Sequence, residues 1–232
     1  MDTKEPHLAE LVNVTKLYEG PHGGTLALQQ ISFAADPGEM VLLLGPSGSG
    51  KTTFLTLLAG LQRPTSGEVF LFGKEVTGYT QRELQWMRAV RIGFIFQTFL
   101  LLDSLTVLQN VMIVSRFAGT GKKEAKEKAI DYLTRLGVER LSEAYPSRIS
   151  QGEKQRVAVA RALVNGAALI FADEPTGSLA SKQGMEIVDF LKESVRNERR
   201  CIIMASHDER IIQQADSVLV LRDGALNHLP CK

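Results

Sequence analysis

The sequence predicts an α/β fold built on a mostly parallel sheet. Short apolar, β-branched-rich runs alternate with stretches of helical periodicity along most of the chain. Two of the runs, 41–44 (VLLL) and 168–172 (ALIFA), are apolar at every position, as strands buried on both faces of a sheet are. A glycine-rich stretch, 45–50, joins the first of these runs to a helical pattern.

In chain order, strands are expected at 9–14, 26–34, 40–44, 68–72, 91–96, 168–172, 201–205 and 217–221. Helices are expected at 51–60, 152–164, 183–195 and 208–214. The first third of the chain reads differently. Residues 9–35 carry strand signals and turn chemistry (EGPHGG, 19–24) with no helix between them, which predicts an antiparallel β layer at one edge. Residues 98–150 hold helical stretches at 106–116 and 122–136 and no convincing strand, which predicts a helical insertion within one domain spanning 1–232. The run KKEAKEK at 122–128 reads as a solvated helix face with Lys/Glu pairs. Trp86, in ELQWMR, is expected to pack a helix.

Composition narrows the function classes. The chain has 232 residues, 44% apolar and 23% charged, close to an ordinary globular protein. At that length a domain buries about 70% of its unfolded surface and needs no disulfide or metal staple. Lys and Arg number 27 against 26 Asp and Glu, so the basic footprint of a nucleic-acid binder is missing. Cys201 sits in an apolar run and reads as a reduced core residue; with Cys231 it makes no disulfide framework. The opening MDTKEPHLAE is too polar for a signal peptide. No apolar run approaches the ~20 residues of a membrane span, so work at a membrane is expected to go through a partner.

The most specific signal is Gly45-Pro46-Ser47-Gly48-Ser49-Gly50-Lys51-Thr52-Thr53, which fits GxxxxGK[ST] between a strand and a helix. A loop that wraps a triphosphate must point successive backbone N–H groups inward, and glycines permit the required dihedrals. The helix that follows aims its positive end at the same phosphates. Lys51 adds a full charge on the β and γ phosphates, the Thr52 hydroxyl suits Mg2+, and Thr53 is expected to pack or cap.

A second signal closes the run 168–172, which ends in Asp173-Glu174. Ligands of open α/β sheets bind beyond the carboxyl ends of strands. Alone, two acids there are as often a cap for the next element. Beside a phosphate loop, Asp173 reads as the Mg2+ partner and Glu174 as the group that orients or deprotonates an attacking water.

With these two motifs and what lies between them, the chain resembles the ATP-binding subunit of an ABC transporter over essentially its whole length. Ile149-Ser150-Gln151-Gly152-Glu153, followed by KQRVAVARAL, is similar to the family's signature motif, usually LSGGQ, and the helix it opens. Gln97 resembles the Q-loop glutamine, Ser178-Leu179-Ala180 the D-loop, His207 the switch histidine, and Tyr18 the aromatic that stacks on adenine. The resemblance implies a P-loop NTPase core that binds ATP with Mg2+ on Thr52, Gln97 and Asp173. It implies an ATP hydrolase with Glu174, His207 and Gln97 at the reacting end. Ser150, Gly152 and Glu153 would serve the triphosphate held by a second copy, so that a homodimer sandwiches two ATP molecules.

Two positions depart from the family pattern. Gln151 replaces the first signature glycine, which is tolerated unless the position needs positive φ. Ala180 stands where the family usually has Asp, implying weaker coupling between the two sites, or slower hydrolysis, with ATP binding intact.

Phrases such as FQTFLLLDSLTVLQNV (96–111), EPTGSL (174–179) and ASHDERI (205–211) resemble the macrolide-exporting and lipoprotein-releasing group. That implies export or extraction of a hydrophobic or lipid-linked substrate, with the chain peripheral on the cytoplasmic face of the inner membrane. The membrane subunit would dock near Gln97–Leu105, about half of whose apolar residues are expected to be ordinary core. A regulatory ATPase of the cell-division type is the alternative.

Overall fold

The computed structural model describes residues 5–20, 24–177 and 179–229. Ser178, Cys231 and part of the 19–24 turn lie outside the described residues. The strands are β1 (Ala9–Tyr18), β2 (Thr25–Ala35), β3 (Met40–Leu44), β4 (Ser66–Leu71), β5 (Lys74–Glu75), β6 (Ile92–Ile95), β7 (Leu169–Asp173), β8 (Cys201–Ser206), β9 (Ser217–Arg222) and β10 (Ala225–Leu229). The α-helices are α1 (Lys51–Leu58), α2 (Gln81–Arg91), α3 (Val107–Phe117), α4 (Lys122–Arg135), α5 (Gln151–Leu163) and α6 (Ser181–Glu198).

The strands form two sheets. The larger has the order β10-β9-β3-β8-β7-β6 and is parallel except for the β9–β10 hairpin. The smaller has the order β2-β1-β4-β5 and is antiparallel throughout. The β layer expected at an edge is therefore a separate sheet, and it recruits β4.

Strict alternation along the central strands builds two cores on opposite faces of the parallel sheet. Val41, Leu43, Leu169, Phe171, Cys201 and Ile203 face the antiparallel sheet, α1 and α2. Met40, Leu42, Ile170, Ala172, Ile202 and Met204 face the opposite layer, which includes residues of α3 to α6. Both faces are covered, which is why these strands carry no polar alternation. Phe54 of α1 is fully buried and meets Phe33 of β2 edge to face at 5.2 Å, fixing the phosphate-loop helix against the second sheet.

Between β6 and β7 the chain is helical, as the 98–150 stretch predicts, and the excursion continues through α5. Thr106 caps α3 and Ser150 caps α5, each in a reciprocal capping box. In α4, Ala125 and Ala129 are buried while Glu124 and Lys128 pair at 2.7 Å across one exposed turn, the solvated face expected there.

Two expectations need correcting, and one helix was not expected. Residues 208–214 form a 3-10 segment, Glu209–Gln214, because only Ile211 is buried and no amphipathic stripe develops. Trp86 does not pack: α2 buries Leu84 and Met87, Trp86 falls off that stripe and is 64% exposed. The helix α2 itself carries Thr80 and Glu83 as a capping box, a start signal that the strand-centred reading passed over. Cys201 is buried as expected, and burial pushes its thiol up, out of the reactive range.

Candidate active site

The site forms where three parallel strands end together. Leu44 of β3 pairs with Ser206 of β8, and Ala205 of β8 pairs with Asp173 of β7. The residues just after those ends are the phosphate loop, His207 and Glu174. A cleft of about 1040 Å3 opens in front of them, lined by residues 47–53, Gln97, Asp173, Glu174 and His207, with Tyr18 among the lining residues.

Local backbone demands explain the loop. Gly48 and Gly50 have φ of 79° and 102°, a region that suits only glycine without strain. Gly50 is also the N-cap of α1, and a Cβ there would meet Ala27 O of β2 at 2.6 Å. No side chain caps α1 and no acid occupies its first turn, so its N-terminal amides and positive end are left to an anion in the cleft. Gly45 and Pro46 do not line the cleft. Their carbonyls accept from Lys51 Nζ at 2.7 and 3.2 Å.

The polar side chains form a connected set. Thr52 Oγ1 donates to Asp173 Oδ2 at 2.8 Å. Lys51 Nζ lies 4.0 Å from Glu174 Oε1, while Glu174 Oε2 is 2.9 Å from His207 Nδ1. Glu174 is held by its backbone: its N–H donates to Ala205 O at 2.9 Å, and its φ is 49°. A left-handed glutamate is strained, and the strain turns the carboxylate back toward the loop. Burial raises Asp173 above the usual carboxylate range; Thr52's hydrogen bond opposes this, Glu174's charge adds to it and Lys51 opposes it.

Tyr18 ends β1 at the cleft's margin, half exposed, with its hydroxyl donating to Gln62 Oε1 at 2.6 Å and lying 3.3 Å from Thr53 Oγ1. Its ring position is thereby fixed. Gln97 is exposed and lies just past the end of β6, after Phe96.

Sequence reasoning missed Ser206, which is fully buried and donates to Glu174 Oε2 at 3.4 Å while accepting from Asp208 N–H at 3.1 Å. Its place just before His207 at a strand end was the available signal. Asp223 and Gly224, in the β9–β10 turn, also line the cleft, and no motif marks them.

Ser150, Gly152 and Glu153 do not reach the cleft. They sit at the start of α5, where Ser150's N–H and hydroxyl both donate to Glu153 Oε2 at 2.9 Å. A Cβ on Gly152 would stand 3.0 Å from Gln183 Oε1 of α6. Gln151 is exposed and lies in the helix's first turn with no positive φ, which removes the steric objection to it. Ala180 is the N-cap of α6 and offers no side-chain bond.

Comparison with known proteins agrees with this geometry. Residues 28–177 match the family model described as ABC transporter. The chain is 38% identical over 219 residues to an uncharacterized ABC transporter ATP-binding protein of Mycobacterium tuberculosis, covering 94% of this chain and 88% of that one. It is 40% identical over 222 residues to the putative hemin import ATP-binding protein HrtA of Staphylococcus haemolyticus, covering 94% and 98%. Against the macrolide export ATP-binding/permease protein MacB of Salmonella typhimurium it is 39% identical over 223 residues, 96% of this chain but 34% of that protein. Among solved structures, the dimeric post-hydrolysis state of the ATP-binding cassette MJ0796 with ADP and Pi superposes with a TM-score of 0.90 at 33% identity, covering 97% of this chain and all of that one.

Proposed function

The chain belongs to the ABC transporter family as an ATP-binding, ATP-hydrolysing subunit, and from that premise we propose that two copies close head to tail around two ATP molecules and drive a membrane subunit. One observation carries the reading: the shared end of β3, β8 and β7 gathers Lys51, Asp173, Glu174 and His207 around one cleft.

The loop amides, the start of α1 and Lys51 hold the β and γ phosphates, and Tyr18 offers a ring face to adenine. Thr52 and Asp173 would hold Mg2+, offering it a hydroxyl and a desolvated carboxylate that lie 2.8 Å apart. Gln97 adds an amide oxygen. When bound, the ion neutralises charge on the phosphates.

Glu174 takes a proton from a water whose oxygen attacks the γ-phosphorus. The bond from that phosphorus to the bridging oxygen breaks, leaving ADP and phosphate. His207, whose Nδ1 lies 2.9 Å from Glu174 Oε2, reaches the γ-phosphate as the site closes. Ser150 and Gly152 at the head of α5 meet the γ-phosphate of the opposite copy, which explains why they stand apart from their own cleft.

Two of the relatives are named for macrolide export and hemin import, and we assign this chain, peripheral on the cytoplasmic face of the membrane, to export or extraction of a hydrophobic or lipid-linked substrate. No described helix is long and apolar enough to cross a membrane.

Glu174→Gln tests the reading. It should keep ATP binding, slow turnover by about 10²–10⁴-fold, and trap an ATP-dependent dimer on gel filtration. Near-normal turnover would remove Glu174 from the mechanism.

A further inference from the structure

The head of α5 holds a charge arrangement that the sandwich alone does not require. Ser150 is the residue assigned to the second nucleotide, yet both of its donors are already engaged. Its N–H and its hydroxyl point to one oxygen of Glu153, each at 2.9 Å. The other oxygen, Oε1, accepts from Arg140 Nη2 at 2.6 Å. Arg140 comes from a separate 3-10 turn, Glu139–Leu141, thirteen residues before Glu153. The Arg140 side chain is 68% exposed and Glu153's is 23%, so the pair lies at the surface, where a second molecule can reach it. Ser150's bonds, and secondarily Arg140, hold the Glu153 carboxyl below its ordinary value, so it carries a full negative charge at neutral pH.

A phosphate approaching Ser150 meets two obstacles. The hydroxyl proton must turn away from Glu153, and a carboxylate sits one helical turn from the incoming anion. Arg140 answers both. It offers Glu153 a second partner, so the carboxylate loses less when the serine leaves it, and it cancels the repelling charge.

We propose that Glu153 is a displaceable stand-in for the terminal phosphate at Ser150 and that Arg140 is the positioning residue that sets how readily nucleotide on the opposite copy replaces it. The proposal rests on the head-to-tail reading above and adds to it a control on dimer closure. A carboxylate does not itself bind phosphate, so Glu153 acts by competition and not as a nucleotide ligand. Capping is preserved in Glu153→Gln, because the amide oxygen can still accept from Ser150 N–H.

The test is a double-mutant cycle in the full chain, carried in a Glu174→Gln background so that ATP dimers accumulate. Dimer fraction is measured against ATP concentration by gel filtration or light scattering. ATP binding to the protein diluted to monomer is measured alongside. Glu153→Gln is expected to lower the ATP needed for half-dimerisation by about three- to tenfold. Arg140→Gln should raise it by a similar factor, Arg140→Lys should largely restore it, and Arg140→Gln should have little further effect once Glu153 is Gln. Monomer affinity for ATP should not change, since neither residue lines that cleft.

A merely structural Arg140 would shift thermal stability and penalise both backgrounds equally. That additive result overturns the proposal while leaving the ATP sandwich in place. Failure of the parent to dimerise with ATP at all overturns the sandwich and this control together.

Discussion

Asp173 shows what burial does to a single ionisable residue at the edge of the cleft. Its carboxyl is raised by burial, so the ionised form is less comfortable in the fold than in the unfolded chain. The sign follows from linkage: such a group stabilises the fold while protonated, and that contribution is lost as pH rises through its folded value. At neutral pH the ionised side chain therefore costs stability, which a cation on the phosphates would offset. Asp173→Asn keeps an oxygen for Thr52 and removes the charge. The nucleotide-free variant should melt at a higher temperature than the parent at pH 7.5, and the gain should shrink as pH falls toward the ordinary aspartate range. ATP turnover should collapse in the same variant. Thermal unfolding across pH, with an ATPase assay beside it, checks both; a lower melting temperature at neutral pH would contradict the assignment. Glu174 is different in kind, because its direction comes from a left-handed backbone and a bond to Ala205.

At the scale of elements, the helix starts decide much. Thr80, Thr106 and Ser150 each close a capping box, whereas Ala180 leaves α6 uncapped. Ala180 already has the extended φ and ψ of a cap, −60° and 144°, so an aspartate needs no backbone change to accept from the first turn. Ala180→Asp should add about 0.5–2 kcal/mol of stability, seen as a rise in unfolding midpoint. It should also speed hydrolysis if the D-loop position couples the two sites, and an unchanged ATPase rate would confine its effect to capping. The elements best read from sequence were those whose pattern is written locally: the apolar strands β3 and β7, the phosphate loop, and α5 with its serine cap. What escaped was set by tertiary packing. The helix α2 buries only Leu84 and Met87, too narrow a stripe to stand out, and Trp86 was pulled inward by expectation alone. The strand β10 has mostly exposed residues and exists because β9 offers it a free edge. Ser206's bond to Glu174 follows from the parallel register that brings the ends of β7 and β8 together.

At the scale of the molecule, one helix joins a second, apolar groove to Ser150, away from the cleft. The groove has a volume of about 430 Å3 and includes Phe96, Leu100, Leu102 and Phe117. Leu100, Leu102 and Phe117 are 54%, 47% and 75% exposed, whereas Phe99 is buried, so the 99–105 segment divides between surface and core as its composition implied. Arg161 of α5 donates to the carbonyls of Phe99 and Leu100 at 2.6 and 2.5 Å, pinning two successive left-handed residues at the groove. The same helix begins at Ser150, so Arg161 ties Leu100 at the groove to a rod whose other end is that serine. Exposed apolar side chains around a groove suit an apolar segment of the membrane subunit. Charge placed there should uncouple docking from chemistry. Phe117→Glu and Leu102→Glu should each leave ATP affinity and basal hydrolysis of the purified chain within about twofold, because neither touches the cleft. Both should strip the protein from detergent-solubilised membrane complexes in a co-purification assay. Retention of the partner by the doubly substituted chain would mean that the membrane subunit sits elsewhere.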